Sequence, residues 1–199
     1  PETGTIEQMK IQTLSKLAAL GMLVASGPVA AQTLNWDLVN EYDPNSIHAQ
    51  VSDKFIEAVK EASNGDIAVT AHHGASLGYK SLDQFDAVGD GAVQLASSYV
   101  GAWAGIDPVF LLPSLPFLAP TTEDTWALYQ AAKPYYAKVL EDANQVFLFA
   151  TPWPPSGIWA DKPVTSMDEL ANLKIRTYDA NGTVTLRAAG AAPIQLSWA

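Results

Sequence analysis

The segment 74–78 carries the pattern in this sequence that is best suited to nucleophilic chemistry. It reads Gly-Ala-Ser-Leu-Gly and lies between a predicted strand and a predicted helix, as the Gly-x-Ser-x-Gly turn of serine hydrolases requires. In that class the histidine base follows the serine, whereas His48, His72 and His73 all precede Ser76. The sequence therefore favours a tight turn whose glycines adopt positive φ. A secreted serine hydrolase that uses Ser76 stays open as the alternative.

The adjacent histidines His72 and His73 are the other residues whose type could indicate a metal. Neighbouring side chains on a strand point to opposite faces, so this pair cannot hold one ion without a distorted backbone. No acidic residue stands at the spacing of a zinc-protease motif, and no phosphate-binding or dinucleotide-binding glycine fingerprint occurs. We therefore expect no catalytic residue, no metal site and no cofactor.

Arg176 is the residue best suited to bind an organic anion. It lies in a short predicted strand, Leu-Lys-Ile-Arg-Thr-Tyr, and the chain has one other arginine, Arg187, on a predicted helix face. A guanidinium group can bind both oxygens of a carboxylate at once. The residues alone leave two interpretations open: Arg176 faces a ligand cleft, or it is a surface charge on an edge strand.

Aromatic residues accompany Arg176 as candidates for a ligand pocket. Near a domain junction such residues pack the hinge or line a pocket. The candidates are Trp153, Trp159, Trp198, Tyr99 and Tyr42.

The chain is acidic, which limits its partners. Its net charge is −10, and from Gln32 onward nine basic residues stand against 19 acidic ones. Such a field repels polyanions, so nucleic acid is not expected as a partner. An anionic ligand would need one or two locally placed cations.

The N-terminal residues 9–31 have the pattern of a secretory signal peptide. A basic start is followed by an apolar run at 17–25, a Gly-Pro pair and small residues up to Ala31. The apolar run is shorter than the roughly 20 residues that a spanning helix needs. We expect cleavage after Ala31 and a periplasmic protein, and we interpret residues 1–8 as extraneous. The absence of cysteine fits an oxidising compartment.

Apolar periodicity predicts a first α/β lobe over residues 32–152. A strand over 34–40, a helix that starts at an Asp43 cap with Pro44 and ends at 64–65, and a strand over 67–71 form a parallel unit with a crossover helix. The later predicted elements are a helix capped by Ser81, a strand over 92–99, an irregular connection over 108–120, a helix capped by Thr122 and running to 144, and an apolar strand over 145–151. Pro134 should kink or divide the long helix, whose buried side is assigned to Trp126, Tyr129, Tyr136, Val139 and Leu140.

A proline-rich segment, 153–158, is predicted to be the hinge between two lobes. A second lobe then begins over 159–199, with a Ser166-capped helix, a strand over 174–178, a helix over 181–190 and a strand from 194 to 198. About forty residues cannot bury a core, so we expect this lobe to be partial and the first to be nearly complete.

Several short motifs, taken in order, resemble the DctP family, the solute-binding subunits of tripartite ATP-independent periplasmic (TRAP) transporters. Each motif is weak alone, but their order and spacing together are specific. The matching segments are 74–78 (Gly-Ala-Ser-Leu-Gly), 90–95 (Asp-Gly-Ala-Val-Gln-Leu), 115–118 (Leu-Pro-Phe-Leu), 162–164 (Lys-Pro-Val), 168–170 (Asp-Glu-Leu), 173–176 (Leu-Lys-Ile-Arg) and 190–193 (Gly-Ala-Ala-Pro).

This resemblance implies an α/β, periplasmic-binding-protein-like two-lobe clamp. It also implies that the protein is not an enzyme, but captures a small organic acid and delivers it to the TRAP membrane subunits. It also implies that Arg176 pairs with the substrate carboxylate and that Trp198 packs on the substrate. Many acid-binding members have an arginine two residues after the glycine that matches Gly157, and Trp159 stands there. The resemblance therefore favours a monocarboxylate with an apolar or aromatic body. A ligand-presenting sensor subunit stays open as an alternative to a transporter component.

Overall fold

The structure is a computed structural model that describes residues 33–154 and 156–196. The predicted signal peptide at 9–31, its cleavage after Ala31, and Trp198 lie outside the described residues.

Three parallel strands form the first sheet, in the order β2-β1-β3. They are β1 (Leu34–Asn40), β2 (Ile67–His72) and β3 (Leu95–Ser97). Helix α1 (Ile47–Ala62) connects β1 to β2, so the predicted parallel unit with a crossover helix is confirmed. Strand β3 pairs with the carboxyl end of β1 and is shorter than the predicted 92–99. The central position of β1 places its carboxyl end between those of its two neighbours.

The predicted start of α1 is wrong by three residues. The carboxylate of Asp43 accepts a hydrogen bond from the Asn45 N–H at 2.8 Å and closes a turn around Pro44. Ser46 is the N-cap instead, because its hydroxyl oxygen accepts from the Ala49 N–H at 3.1 Å. The Asp43–Pro44 pair therefore forms a turn before the helix, and Ser46 occupies the N-cap position.

The end of α1 is confirmed. Asn64 and Gly65 have φ angles of 50° and 86°, the left-handed geometry that these residue types tolerate best.

Helix α2 (Ser81–Gly89) has Lys80 at its N-cap, which corrects the prediction of Ser81. The Ser81 side chain is engaged elsewhere, with the carboxylate of Glu41. Helix α3 (Thr122–Asp142) is capped by Thr121, one residue before the predicted cap, and Pro134 lies within it without dividing it.

The main core lies between α2, α3 and two 3₁₀ helices, Val100–Trp103 and Pro108–Ser114. The second 3₁₀ helix replaces part of the predicted irregular connection and carries Phe110, which is 1% exposed. Its ring stacks on Tyr136 with 5.5 Å between centroids. The buried members of this core are Phe85, Trp103, Phe110, Ala132, Tyr136 and Leu140. Trp126 was predicted to be buried on the same helix face, but it is 62% exposed, because the buried stripe of α3 begins only at Ala132, nearly two turns later.

The predicted strand over 145–151 is wrong, since that segment has no regular secondary structure. A strand requires a neighbour for its backbone hydrogen bonds, and no described strand pairs with this segment. Its side chains still contact the fold, because Phe147 packs on the core and Phe149 lies 5.5 Å from Phe55, centroid to centroid.

A second, two-stranded parallel sheet is formed by β4 (Lys174–Thr177) and β5 (Ala192–Gln195). Helix α4 (Met167–Leu170) precedes it, with the predicted Ser166 cap confirmed by a bond from the Glu169 N–H. Helix α5 (Ala180–Ala188) connects the two strands. Strand β5 begins two residues before the predicted 194, and the lobe boundary at 153–158 stays a prediction. Within the described ranges, no helix combines the length and apolar character needed to cross a bilayer.

Candidate functional site

The carboxyl ends of β1, β3 and β4 are each followed closely by a tyrosine: Tyr42, Tyr99 and Tyr178. In open α/β sheets, ligands bind in the crevice outside these ends. The Tyr99 hydroxyl, from the first sheet, donates to Oδ2 of Asp179, which follows β4, at 2.9 Å. The rings of Tyr99 and Tyr178 also meet edge to face at 5.7 Å. The carboxyl ends of the two sheets are therefore in contact at the site.

Asp179 anchors this contact. It is fully buried, and its other carboxylate oxygen accepts from the Gly182 N–H at 2.9 Å, which makes it the N-cap of α5. Burial, and then the Asp179 carboxylate, raise the pKa of Tyr99 far above its usual value. The Tyr99 hydroxyl therefore stays protonated and donates its hydrogen bond at physiological pH.

A second buried carboxylate, that of Glu41, fixes Tyr99 from the other side. Glu41 accepts from the Ser81 N–H at 3.1 Å and from the Ser81 hydroxyl at 2.5 Å. The Ser81 hydroxyl oxygen in turn accepts from the Tyr99 N–H at 2.8 Å. This chain of bonds explains why Ser81 does not cap its helix: its side chain holds the end of β1 to the segment after β3.

Arg176 lies on β4 and is exposed. Its Nε donates to the carbonyl oxygen of Leu196, the residue after β5, at 3.0 Å. Burial and Glu41 raise the pKa of Tyr42, and the Arg176 charge acts in the opposite direction. The same charge opposes the burial that raises the pKa of Tyr178. The guanidinium therefore lies within electrostatic reach of two of the three site tyrosines.

Three rings form a cluster beside this charge, which we call the His48 cluster: Tyr42, His48 and Trp153. His48 lies 4.8 Å from Tyr42 and 4.1 Å from Trp153, and Tyr42 lies 5.5 Å from Trp153, all between ring centroids. Tyr42 and His48 are buried at 4% and 8% exposed, whereas Trp153 is 46% exposed. Sequence reasoning missed His48 as a site residue, although its position in the first turn after the β1–α1 junction was a signal for it.

The candidates from the sequence thus fall into two groups. Tyr42, Trp153, Tyr99 and Arg176 lie around the carboxyl ends of the strands. Trp159 is 92% exposed, and in the part of the chain that the structure describes its ring has no aromatic contact. Its predicted role in the pocket stays a prediction, as does that of Trp198.

The Gly-Ala-Ser-Leu-Gly segment is the tight turn that the sequence favoured. Its left-handed residues are Gly74, Ala75 and Gly78, with φ angles of 66°, 52° and 87°. The Gly74 N–H donates to the carbonyl oxygen of Tyr42 at 2.9 Å, so the turn supports the backbone of a site residue. Ser76 is exposed and is not among the left-handed residues, whereas a nucleophile elbow holds its serine in a strained conformation.

The two adjacent histidines contact different acids. Nε2 of His72 lies 2.7 Å from Asp37, and Nε2 of His73 lies 3.0 Å from Asp53. Their side chains do not converge on one position.

Aromatic rings and an arginine at the carboxyl ends of parallel strands form an arrangement suited to binding a small organic anion. Residues 39–199 match the model of the DctP family, "Bacterial extracellular solute-binding protein, family 7". The chain belongs to this family. Because the family consists of solute-binding receptors, the prediction that the chain is not an enzyme is confirmed, and the serine hydrolase alternative has no support.

Curated and solved relatives agree with this assignment. The chain is 28% identical to the ectoine-binding periplasmic protein TeaA of Halomonas elongata, over 96% of this chain and 56% of the relative. DctP6, a Bordetella pertussis extracytoplasmic solute receptor binding pyroglutamic acid, is 31% identical with a TM-score of 0.77, over 82% of this chain and 54% of that one. A marine metagenome TRAP solute-binding protein specific for pyroglutamate is 31% identical with a TM-score of 0.78, over 83% and 54%.

These likenesses confirm the predicted fold class, that of TRAP periplasmic solute-binding proteins. The chain spans about half the length of the relatives that it matches.

Proposed function

We propose that the complete protein is a periplasmic receptor that captures a small cyclic monocarboxylate at the carboxyl ends of its strands and delivers it to the TRAP membrane subunits. The observation that carries this proposal is the position of Arg176 on β4, whose carboxyl end meets that of the first sheet through the Tyr99–Asp179 hydrogen bond. Export through the predicted signal peptide, with cleavage after Ala31, is part of the proposal.

The charge of the chain supports the role of Arg176. With a net charge of −10, the protein as a whole repels an anion, so a carboxylate needs a local cation. Arg176 is exposed and can be reached by a ligand from solvent. Its Nε bond to Leu196 fixes the side chain before a ligand arrives, which lowers the entropy lost on binding.

The expected free energies of binding differ between the arginine and the aromatic rings. A hydrogen bond to a charged group contributes about 1.5–3 kcal/mol. Micromolar affinity requires about 8 kcal/mol in total. Arg176 would therefore orient and select the acid, while burial against aromatic rings such as Tyr42 and Trp153 supplies much of the affinity.

The ligand class follows from the relatives and from one departure in the sequence. Two solved relatives bind pyroglutamate, a five-membered lactam with one carboxylate, and a curated relative binds ectoine. Trp159 stands where many acid-binding members of the family have a second arginine. A ring with a single carboxylate fits one guanidinium surrounded by aromatic side chains.

Calorimetry on the complete natural protein, with pyroglutamate as the ligand, tests this proposal. Arg176→Ala should weaken binding about 10-fold to 100-fold, which corresponds to the loss of a charged hydrogen bond. Arg187→Ala is the matched control, because Arg187 is exposed on α5 and its replacement by alanine removes the same charge. The proposal fails if the wild type binds no cyclic monocarboxylate, or if the two alanine variants bind pyroglutamate equally well.

A further inference from the structure

His48 has a buried nitrogen with no use in the fold. The residue is 8% exposed, and its Nε2 has no hydrogen-bond partner among the described residues. Native proteins pair nearly all buried polar atoms, so such an atom needs an explanation.

The location of the unpaired atoms points to a ligand. Over 33–154 and 156–196, the buried side-chain atoms without a partner are Asn40 Nδ2, His48 Nε2 and His73 Nδ1. Asn40 ends β1, His73 follows β2, and His48 lies just after the β1–α1 junction. All three therefore lie at the carboxyl edge of the first sheet, where α/β proteins bind their ligands.

The surroundings of His48 suit the ring of a small cyclic acid. Its imidazole contacts both Tyr42 and Trp153, and Tyr42 is coupled electrostatically to Arg176. Trp153 is half-exposed and belongs to a segment without helix or strand, so the cluster reaches solvent through this ring. A ligand that packs on the Tyr42 and Trp153 rings lies beside His48 and near the Arg176 charge that acts on Tyr42.

We propose that His48 is a recognition residue that hydrogen-bonds the polar ring group of the acid whose carboxylate is held by Arg176. This inference rests on the proposed function and adds the reason for selecting a lactam over a hydrocarbon ring. A ligand without such a group leaves Nε2 unpaired, and sites of this type reject such analogues.

The charge state of His48 is compatible with this role. Burial lowers the pKa of His48, which favours the neutral imidazole with one N–H donor and one nitrogen acceptor. Nε2 can then donate to the carbonyl oxygen of a lactam or accept from its N–H, depending on the tautomer.

A ligand-and-variant cycle on the complete natural protein tests the inference. Pyroglutamate and cyclopentanecarboxylate share a five-membered ring and one carboxylate, but only pyroglutamate has the lactam group. The wild type should bind pyroglutamate about tenfold more tightly than cyclopentanecarboxylate or better, and His48→Phe should remove most of this preference by weakening pyroglutamate more than cyclopentanecarboxylate. His48→Gln, which keeps a polar group, should restore part of it, and Arg176→Ala should weaken both acids alike.

The outcomes separate this inference from the proposed function. An unchanged preference in His48→Phe, with both acids still dependent on Arg176, overturns the role of His48 alone. Failure of the wild type to bind either acid overturns both proposals. If His48→Phe does not fold, ¹⁵N NMR of wild-type His48 decides: the Nε2 resonance should shift with pyroglutamate and not with cyclopentanecarboxylate, and equal shifts overturn the inference.

Discussion

Removal of the Tyr99 hydroxyl tests the contact that joins the two sheets. In Tyr99→Phe the ring keeps its edge-to-face contact with Tyr178, but the 2.9 Å hydrogen bond to Asp179 is lost. Asp179 is fully buried, so one of its carboxylate oxygens loses a donor in a place that bulk water does not reach.

The expected loss follows from the charge and the burial of Asp179. Removing a hydrogen bond to a charged group costs about 1.5–3 kcal/mol of the free energy of unfolding. Oδ1 keeps its bond from the Gly182 N–H, and Tyr99 itself is only partly buried, so the lower half of that range applies. We expect Tyr99→Phe to lower the free energy of unfolding by about 1.5–2 kcal/mol.

Urea unfolding of the complete natural protein measures this difference, with Tyr178→Phe as the matched control. Tyr178 is 43% exposed, and its hydroxyl makes no hydrogen bond within the described ranges, so its loss should change stability by less than about 0.5 kcal/mol. A double-mutant cycle of Tyr99→Phe with Asp179→Asn should show that the two losses are not additive. Equal stability of the two phenylalanine variants, or strict additivity in the cycle, would refute the assignment of this bond as the link between the sheets.

Two further changes have definite expected results. Phe110→Ala should lower the free energy of unfolding, measured in urea, by about 3–5 kcal/mol, because the ring is 1% exposed at the centre of the main core. Phe117 is 94% exposed, so the control Phe117→Ala should have little effect. Similar losses in the two variants would contradict the assigned core. Burial lowers the pKa of His48, so as the pH falls the unfolded chain, with a histidine pKa of about 6.5, takes up this proton first. The stability that the buried neutral His48 contributes is thus complete above about pH 6.5 and is lost as the pH falls towards the lowered pKa. The free energy of unfolding of His48→Gln should therefore fall less than that of the wild type between about pH 7.5 and 5.5. Equal falls in the two proteins would contradict this assignment of His48.

The elements that the sequence predicted well are those with local signals. Strand β1, the Asn64–Gly65 end of α1 and the Ser166 cap of α4 each depend on residues within a few positions of one another, and each is confirmed. The strand over 145–151 depends on a partner elsewhere in the chain, which no local pattern reveals. The cap at Ser81 failed for a similar reason, since a carboxylate 40 residues away occupies its hydroxyl.

The candidate site shows the same division. Arg176 could be selected from its residue type, and Tyr42 and Tyr99 from their positions near predicted strand ends. The Tyr99–Asp179 bond joins residues 80 positions apart, and no periodicity in the sequence predicts it. His48 was missed because it lies outside the apolar positions that predict α1, and only the structure shows its ring buried beside Tyr42 and Trp153.

The buried carboxylates explain why this edge of the fold can serve a ligand. Glu41 and Asp179 are both buried, and the carboxylate oxygens of both accept hydrogen bonds from hydroxyls and from backbone N–H groups at helix starts. Negative charge near helix N-termini is stabilising, so these acids tie the strand ends together. Because Tyr99 is held from both sides, by Ser81 and by Asp179, its ring and the Tyr178 ring that it contacts are positioned before a ligand arrives. Such preorganisation lowers the cost of binding, so a site with a single guanidinium can select a carboxylate in a protein whose overall charge repels it.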